Sequence, residues 1–344
     1  MRIYFRDNNG RIEKVIAQLI DMAGGMRRPG IVREMILAAL KAGREDDGRV
    51  DLKLMNTSLK EMRYTAKIFR DYRHIKKVAV FGSARTQPSE LIYEMACRLG
   101  KKLSQSGYMV ITGGGAGIMQ AVNEGAGPEH SFGVNIQLPF EPKPNPALEG
   151  DPKIIWYKYF FNRKVAFLKE ADAAVLFPGG FGTLDEAMET LTLVQTGKRN
   201  PLPLVLLDEP DGSYWSNWIR FAKQQLLAKG YIGESDLKLF ASLDAVDDAV
   251  QYIKLFYRRY HSLRYVGDRL IIRLTSPIDE SVIKELKNRF SDMLMANGDI
   301  QASGPLPEET DEPDIRHLPR LAVDFNRADF GRLKEFIDAV NTWE

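Results

Sequence analysis

Residues 173–186 read Ala173-Ala174-Val175-Leu176-Phe177-Pro178-Gly179-Gly180-Phe181-Gly182-Thr183-Leu184-Asp185-Glu186. Five apolar residues, a proline and two glycines predict a short strand and a tight turn, and the stretch 183–196 then reads as a helix. The apolar run is continuous rather than alternating, which fits a strand buried on both faces. The same unit recurs upstream. Val78-Ala79-Val80-Phe81 closes on Gly82-Ser83, and Tyr108-Met109-Val110-Ile111 closes on Thr112-Gly113-Gly114-Gly115. Further strands are expected at 132–136, 154–157 and 204–207, with helices at 89–106, 118–125 and 161–170. Strand, glycine-rich turn and helix in repetition predict an α/β chain with a parallel sheet and helices on both faces.

Outward from this centre the pattern changes. Residues 1–75 carry helical periodicity only: Ile12, Val15, Ile16, Leu19 and Ile20, then the stretches 31–42 and 51–72. Beyond about residue 265, a strand at 269–274, a helix at 279–295, a proline-rich acidic loop at 304–313, a strand at 321–325 and a helix at 327–340 predict a small α+β appendage. The expected division is a helical extension over 1–75, an α/β domain over 76–262 and the appendage over 263–344.

Composition narrows the function classes. The chain has 344 residues, with 48 Lys and Arg against 46 Asp and Glu, a net charge of +2. That balance leaves no overall basic footprint for nucleic acid, and none is expected as a partner. Cys97 is the one cysteine, so no internal disulfide forms, consistent with a reducing compartment. The opening residues lack the apolar core of a secretory leader, and no apolar run is long enough to span a bilayer. A cytoplasmic location without membrane contact is the expectation. The four histidines, at 74, 130, 261 and 317, show no paired spacing, and no metal is expected.

The glycine-rich turns are the candidate chemistry. At strand ends of an open parallel sheet they lie where ligands bind. Glycine admits close backbone approach, and the following helix N-terminus offers free N–H groups and partial positive charge. Two such turns point to a phosphate. Neither matches the dinucleotide fingerprint or the G-x-x-x-x-G-K-[ST] loop. Thr183 either donates to a ligand or caps its own helix, and Thr183 with Glu186 three residues on also reads as a capping box. Arg163, in Phe160-Phe161-Asn162-Arg163-Lys164, says little by itself, since an Arg beside aromatics is usually a salt-bridge partner.

Four segments together carry a resemblance. Pro178-Gly179-Gly180-Phe181-Gly182-Thr183-Leu184-Asp185-Glu186 matches the PGGxGTxxE signature of the LONELY GUY (LOG) family, often labelled lysine decarboxylase-like. Residues 112–119 resemble its GGGxxGxM segment. Asn135-Ile136-Gln137-Leu138-Pro139-Phe140-Glu141 with Pro144-Asn145-Pro146 resembles its strand-and-loop segment, and Arg163-Lys164 its Arg-Lys pair. The similarity spans roughly residues 75–260 and is that of the extended bacterial members. It implies a Rossmann-like fold. It also implies a phosphoribohydrolase that cleaves a nucleoside 5′-monophosphate, AMP or a cytokinin riboside monophosphate, to free base and ribose 5-phosphate, without a cofactor. Arg163 and Glu186 would be the catalytic pair. Ser83, Gly114, Gly115, Gly179, Gly180, Gly182 and Thr183 would hold phosphate and ribose. A homodimer or higher homo-oligomer is implied as well. A non-catalytic nucleotide-binding or regulatory module is the alternative on the same fold. A pyridoxal phosphate decarboxylase needs a Schiff-base lysine, and nothing singles out Lys164 or Lys169. Trp156 with Tyr157, or Phe160 with Phe161, could stack a base or simply pack the core.

Overall fold

A computed structural model describes residues 9–45, 48–138, 143–309 and 312–343. Pro139, Phe140 and Glu141 of the strand-and-loop segment lie outside the described residues, as do Thr310 and Asp311 of the acidic loop and the first eight residues of the helical extension. The chain divides into two compact units, the second beginning at Thr65.

The first unit is helical, as its periodicity predicts: α1 (Asn9–Met22), α2 (Pro29–Glu45) and most of α3 (Arg49–Phe69). Ile16, Ile20 and Leu37 form its buried cluster, with Ile12, Val32 and Ile36 against them. Gly24 and Gly25, both at positive φ, terminate α1.

The second unit holds two sheets. The larger contains β1 (Lys77–Phe81), β2 (Met109–Thr112), β3 (Ser131–Ile136), β4 (Ile154–Tyr157), β5 (Ala173–Leu176), β6 (Leu204–Leu207) and β7 (Ala241–Leu243). Their order is β4-β3-β2-β1-β5-β6-β7, and every pairing is parallel. The intervening helices are α4 (Leu91–Gln105), α5 (Ile118–Ala126), α6 (Phe160–Glu170), α7 (Phe181–Gln195), α8 (Tyr214–Phe221) and α9 (Val246–Phe256). On one face α4, α5 and α9 close over Val78, Val80, Val110, Val175 and Val205. On the other, α6 covers Ala79, Ile111 and Val134, and α7 covers Ala174, Leu176 and Leu206. Burial on both faces is why the strands read as unbroken apolar runs. β7 and the helices α8 and α9 are additions to the expected set.

From β1 the chain steps outward to β4, then returns to lay β5 on the other side of β1. Strand order therefore reverses between β1 and β5, and a crevice opens at their carboxyl ends.

The smaller sheet is antiparallel, in the order β10-β11-β9-β8, built from β8 (Tyr260–Val266), β9 (Arg269–Leu274), β10 (Ile300–Ser303) and β11 (Arg320–Val323). Its helices are α10 (Glu280–Arg289), shorter than expected, and α11 (Phe330–Thr342). Leu270, Ile272, Leu321 and Val323 meet Leu286, Phe336 and Ile337 in one apolar core. β8 extends this α+β part upstream of the anticipated strand at 269.

Candidate active site

Three turns meet at the crevice, and Ser83 ties them together. Its N–H donates to the Pro178 carbonyl at 3.0 Å, and its own carbonyl accepts from the Ile118 N–H at 3.0 Å. The turns after β1, β2 and β5 thus form one backbone unit. At Gly179 a Cβ would lie 3.0 Å from Ser83 N and collide with the Thr183 side chain. Tyr214 Oη donates to the Gly179 carbonyl at 2.6 Å and fixes the turn from α8.

The turn after β2 is held by side-chain amides. Thr112 Oγ1 accepts from Gly114 N at 3.0 Å and donates to Asn123 Oδ1 at 2.8 Å. Asn145 Nδ2 donates to the Gly115 carbonyl and to Asn123 Oδ1, both at 3.0 Å.

Over these turns lies a cavity of about 870 Å³. Ser83, Gly115, Gly179, Gly180, Gly182, Thr183, Arg163 and Glu186 all line it, so the structure brings these expected site residues together. Gly114 is the exception. It adopts φ +70°, with its α-carbon against the Asn135 amide, and Gly113 and Gly115 face the cavity instead. Of the candidate stacking pairs, Phe160 lines the cavity, whereas Phe161 stacks on Tyr159 at 5.4 Å. Tyr157 is core, its hydroxyl on Thr65, and Trp156 does not line the cavity. Phe181, 92% exposed, completes an aromatic rim with Phe160.

The capping reading of Thr183 and Glu186 does not survive. Helix α7 begins at Phe181 with Gly180 as its N-cap, because the Gly180 carbonyl takes the N–H groups of Thr183 and Leu184 at 3.1 and 3.2 Å. Thr183 is therefore the third residue of the helix, and Glu186 falls in its second turn, facing the cavity.

Glu186 is 3% exposed, and its Oε2 finds no hydrogen-bond donor among the described residues. Burial raises its pKa from 4.5 to about 7, against the pull of Lys164 and Arg163 and with repulsion from Glu189 and Asp185. Lys164, beside it, is held in its charged form. Burial opposes the charge, but Nζ lies 2.8 Å from both Asp185 Oδ2 and Glu189 Oε2, and the net shift is upward. Arg163 lies with its guanidinium 5.0 Å from the Phe160 ring centre, beside the turn after β2. Asn135 adds a second buried acceptor, an Oδ1 with no donor among the described residues.

Asn135 and Tyr214 are the residues that sequence reasoning missed. For Asn135 a signal existed: one amide interrupting the apolar run 132–136. For Tyr214 there was none, since its role depends on β6 delivering α8 beside the turn after β5. No lysine lines the cavity among the described residues, so the donor set does not fit a pyridoxal phosphate Schiff base.

A family model described as "Possible lysine decarboxylase" matches residues 116–253. A cytokinin riboside 5′-monophosphate phosphoribohydrolase of Arabidopsis thaliana is 25% identical over 183 residues, 52% of this chain and 81% of that protein. A bacterial protein of the same name, from Mycobacterium marinum, is 26% identical over 175 residues, 51% of this chain and 91% of its own. A structural-genomics crystal structure shares 25% identity over 52% of this chain and 99% of its own, with a TM-score of 0.40.

Proposed function

We propose, from the premise that this chain belongs through its α/β domain to the LONELY GUY (LOG) family, that it is a phosphoribohydrolase acting on a nucleoside 5′-monophosphate. The observation that carries the reading is Glu186: a buried carboxylate, its Oε2 without a donor among the described residues, on a cavity that the glycine turns also line. Names of relatives from plants and from a bacterium point the same way.

The chemistry follows from charge. Breaking the bond between C1′ and the base nitrogen leaves positive charge on the sugar, as in glycoside hydrolysis. An ionised Glu186 stabilises that charge and takes a proton from the attacking water. The water oxygen bonds to C1′, the base departs with the electron pair of the broken bond, and a proton completes it. Arg163 offsets negative charge on the departing base or on the phosphate. The turns after β1 and β5 and the N-terminus of α7 take the phosphate. Phe160 and Phe181 give an apolar wall to the base, and AMP or a cytokinin riboside monophosphate is the proposed substrate.

The phosphate is a remote handle whose binding energy orients the reacting bond. Adenosine is therefore expected to be cleaved at least about 100-fold more slowly than AMP in kcat/KM, the scale of one charge-assisted contact or two. The measurement is chromatography of free base released from AMP, CMP, GMP, UMP and adenosine. Equal rates on AMP and adenosine overturn the phosphate handle. No release from any of them by the folded protein favours a binding module. Gly179→Ala tests the backbone wall. Its Cβ forces the turn apart, and KM for the monophosphate is expected to rise roughly tenfold or more. An unchanged KM removes that turn from the phosphate site.

A further inference from the structure

A second cavity, of about 650 Å³, lies at the amino edge of the parallel sheet, remote from the crevice between β1 and β5. It forms where the loops entering β5 and β6 meet the first strand of the α+β part. Lys169, Lys198, Arg199, Asn200, His261 and Ser262 line it. Its volume falls in the range of sites for nucleotide-sized ligands.

Charge in this cavity is unbalanced. Its two carboxylates are already engaged. Asp172 Oδ2 accepts from the Lys77 N–H at 2.8 Å, with Lys76 Nζ at 4.0 Å from the other oxygen, and Glu189 is paired with Lys164. Of the cations, Lys169 is paired with Glu170, whereas Arg199 and Lys198 have no carboxylate partner among the described residues. Arg199 donates from Nη2 to the Ala171 carbonyl, but its Nε is shut off from solvent and finds no acceptor among the described residues. An anion entering the cavity is the natural complement of the two cations that lack a carboxylate. Lys198 is exposed at the mouth with no ion pair among the described residues. His261 is held below its ordinary pKa first by burial and then by Lys76, Arg273 and His317, with Glu312 opposing.

We propose that this cavity is a binding site for a small phosphorylated metabolite, gripped by Arg199 and Lys198 with Asn200 and Ser262 as neutral donors. Nothing in this assignment depends on the reaction at the other edge of the sheet. The occupant would nonetheless touch the far ends of α6 and α7, the helices that carry Arg163 and Glu186.

The experiment uses the full chain and inorganic pyrophosphate as the probe, followed by calorimetric titration at fixed ionic strength. Crystals soaked in tungstate locate the anion. Lys198→Glu reverses an exposed charge and leaves the core untouched. Arg199→Lys keeps the charge but removes the planar guanidinium that holds an oxyanion through two N–H groups. Each is expected to weaken one class of pyrophosphate sites by roughly tenfold or more, the effect of losing one charge-assisted bond. A second class, in the crevice between β1 and β5, is expected to stay unchanged. Tungstate is expected beside Arg199. Equal pyrophosphate binding by the native chain and Lys198→Glu overturns the proposal, as does tungstate confined to the crevice. If Arg199→Lys does not fold, Lys198→Glu decides alone.

Discussion

The Glu186→Gln protein is expected to be a far poorer catalyst and a more stable fold at once. Removing a carboxylate that handles a proton lowers kcat by about 10²–10⁴-fold. The stability effect has the opposite sign. Burial raises the folded-state pKa of Glu186 to about 7 from 4.5, so the fold favours the neutral carboxyl. That preference contributes fully below pH 4.5 and is lost as pH rises through about 7. Above pH 7 the native chain holds a buried charge whose penalty approaches about 3 kcal/mol, from the size of the shift. Glutamine imitates the neutral form and avoids it. Thermal melts of the two proteins should therefore coincide near pH 4.5 and separate by several degrees at pH 8.5, with the variant higher. Parallel melting curves across that range would show that Glu186 is not held in the neutral form. On the proposed mechanism the native chain's kcat/KM should rise about tenfold per pH unit below 7 and level above it, since the ionised carboxylate is the reacting form.

The second large effect lies far from the crevice. Glu309 is 1% exposed and sits between two guanidinium groups that are nearly as buried. It accepts from Arg273 Nε at 2.9 Å, Arg320 Nε at 2.7 Å and the Leu306 N–H at 3.0 Å. Burial alone would raise its pKa, but these donors win and hold it at about 2. Glu309→Gln leaves Arg320 buried without a counter-charge, while Arg273 keeps Glu312, and is expected to destabilise the α+β part by about 3–5 kcal/mol. The melting temperature should drop by on the order of 10 °C. Because the native pKa is depressed, the contribution of Glu309 is present above pH 4.5 and lost as pH falls toward 2. The variant should lack that acid-sensitive component. A melting temperature unchanged at pH 7 would mean that the arginines find other partners.

The parallel sheet was legible because burial on both faces writes an unbroken apolar run into each strand and glycine closes it. What escaped reading has physical reasons. β7 is a three-residue edge strand with Ser242 exposed, too short for any period. β8 carries a register shift between Tyr260 and Ser262, which breaks the alternation that would announce it. α7 begins two residues before the expected start because a glycine carbonyl, not the Thr183 hydroxyl, caps it. The assembly of Arg163, Glu186 and the glycine turns was visible in the motifs. The contribution of Tyr214 depends on strand order, which spacing along a chain does not encode. Trp156 and Tyr157 were candidates by type alone. They lie on an edge strand whose burial alternates, which keeps Tyr157 in the core.

The crevice has one wall of main chain and one of side chains, and the two respond differently to inheritance. A methyl group added at Gly179 strikes Ser83 and Thr183. Phe181, almost wholly in solvent, can be exchanged without disturbing a packed neighbour. Substitutions that persist through many generations are thus channelled to the aromatic rim. On the proposed function, descendants of such a chain can trade one leaving group for another there while the half proposed to grip the sugar phosphate stays as it was.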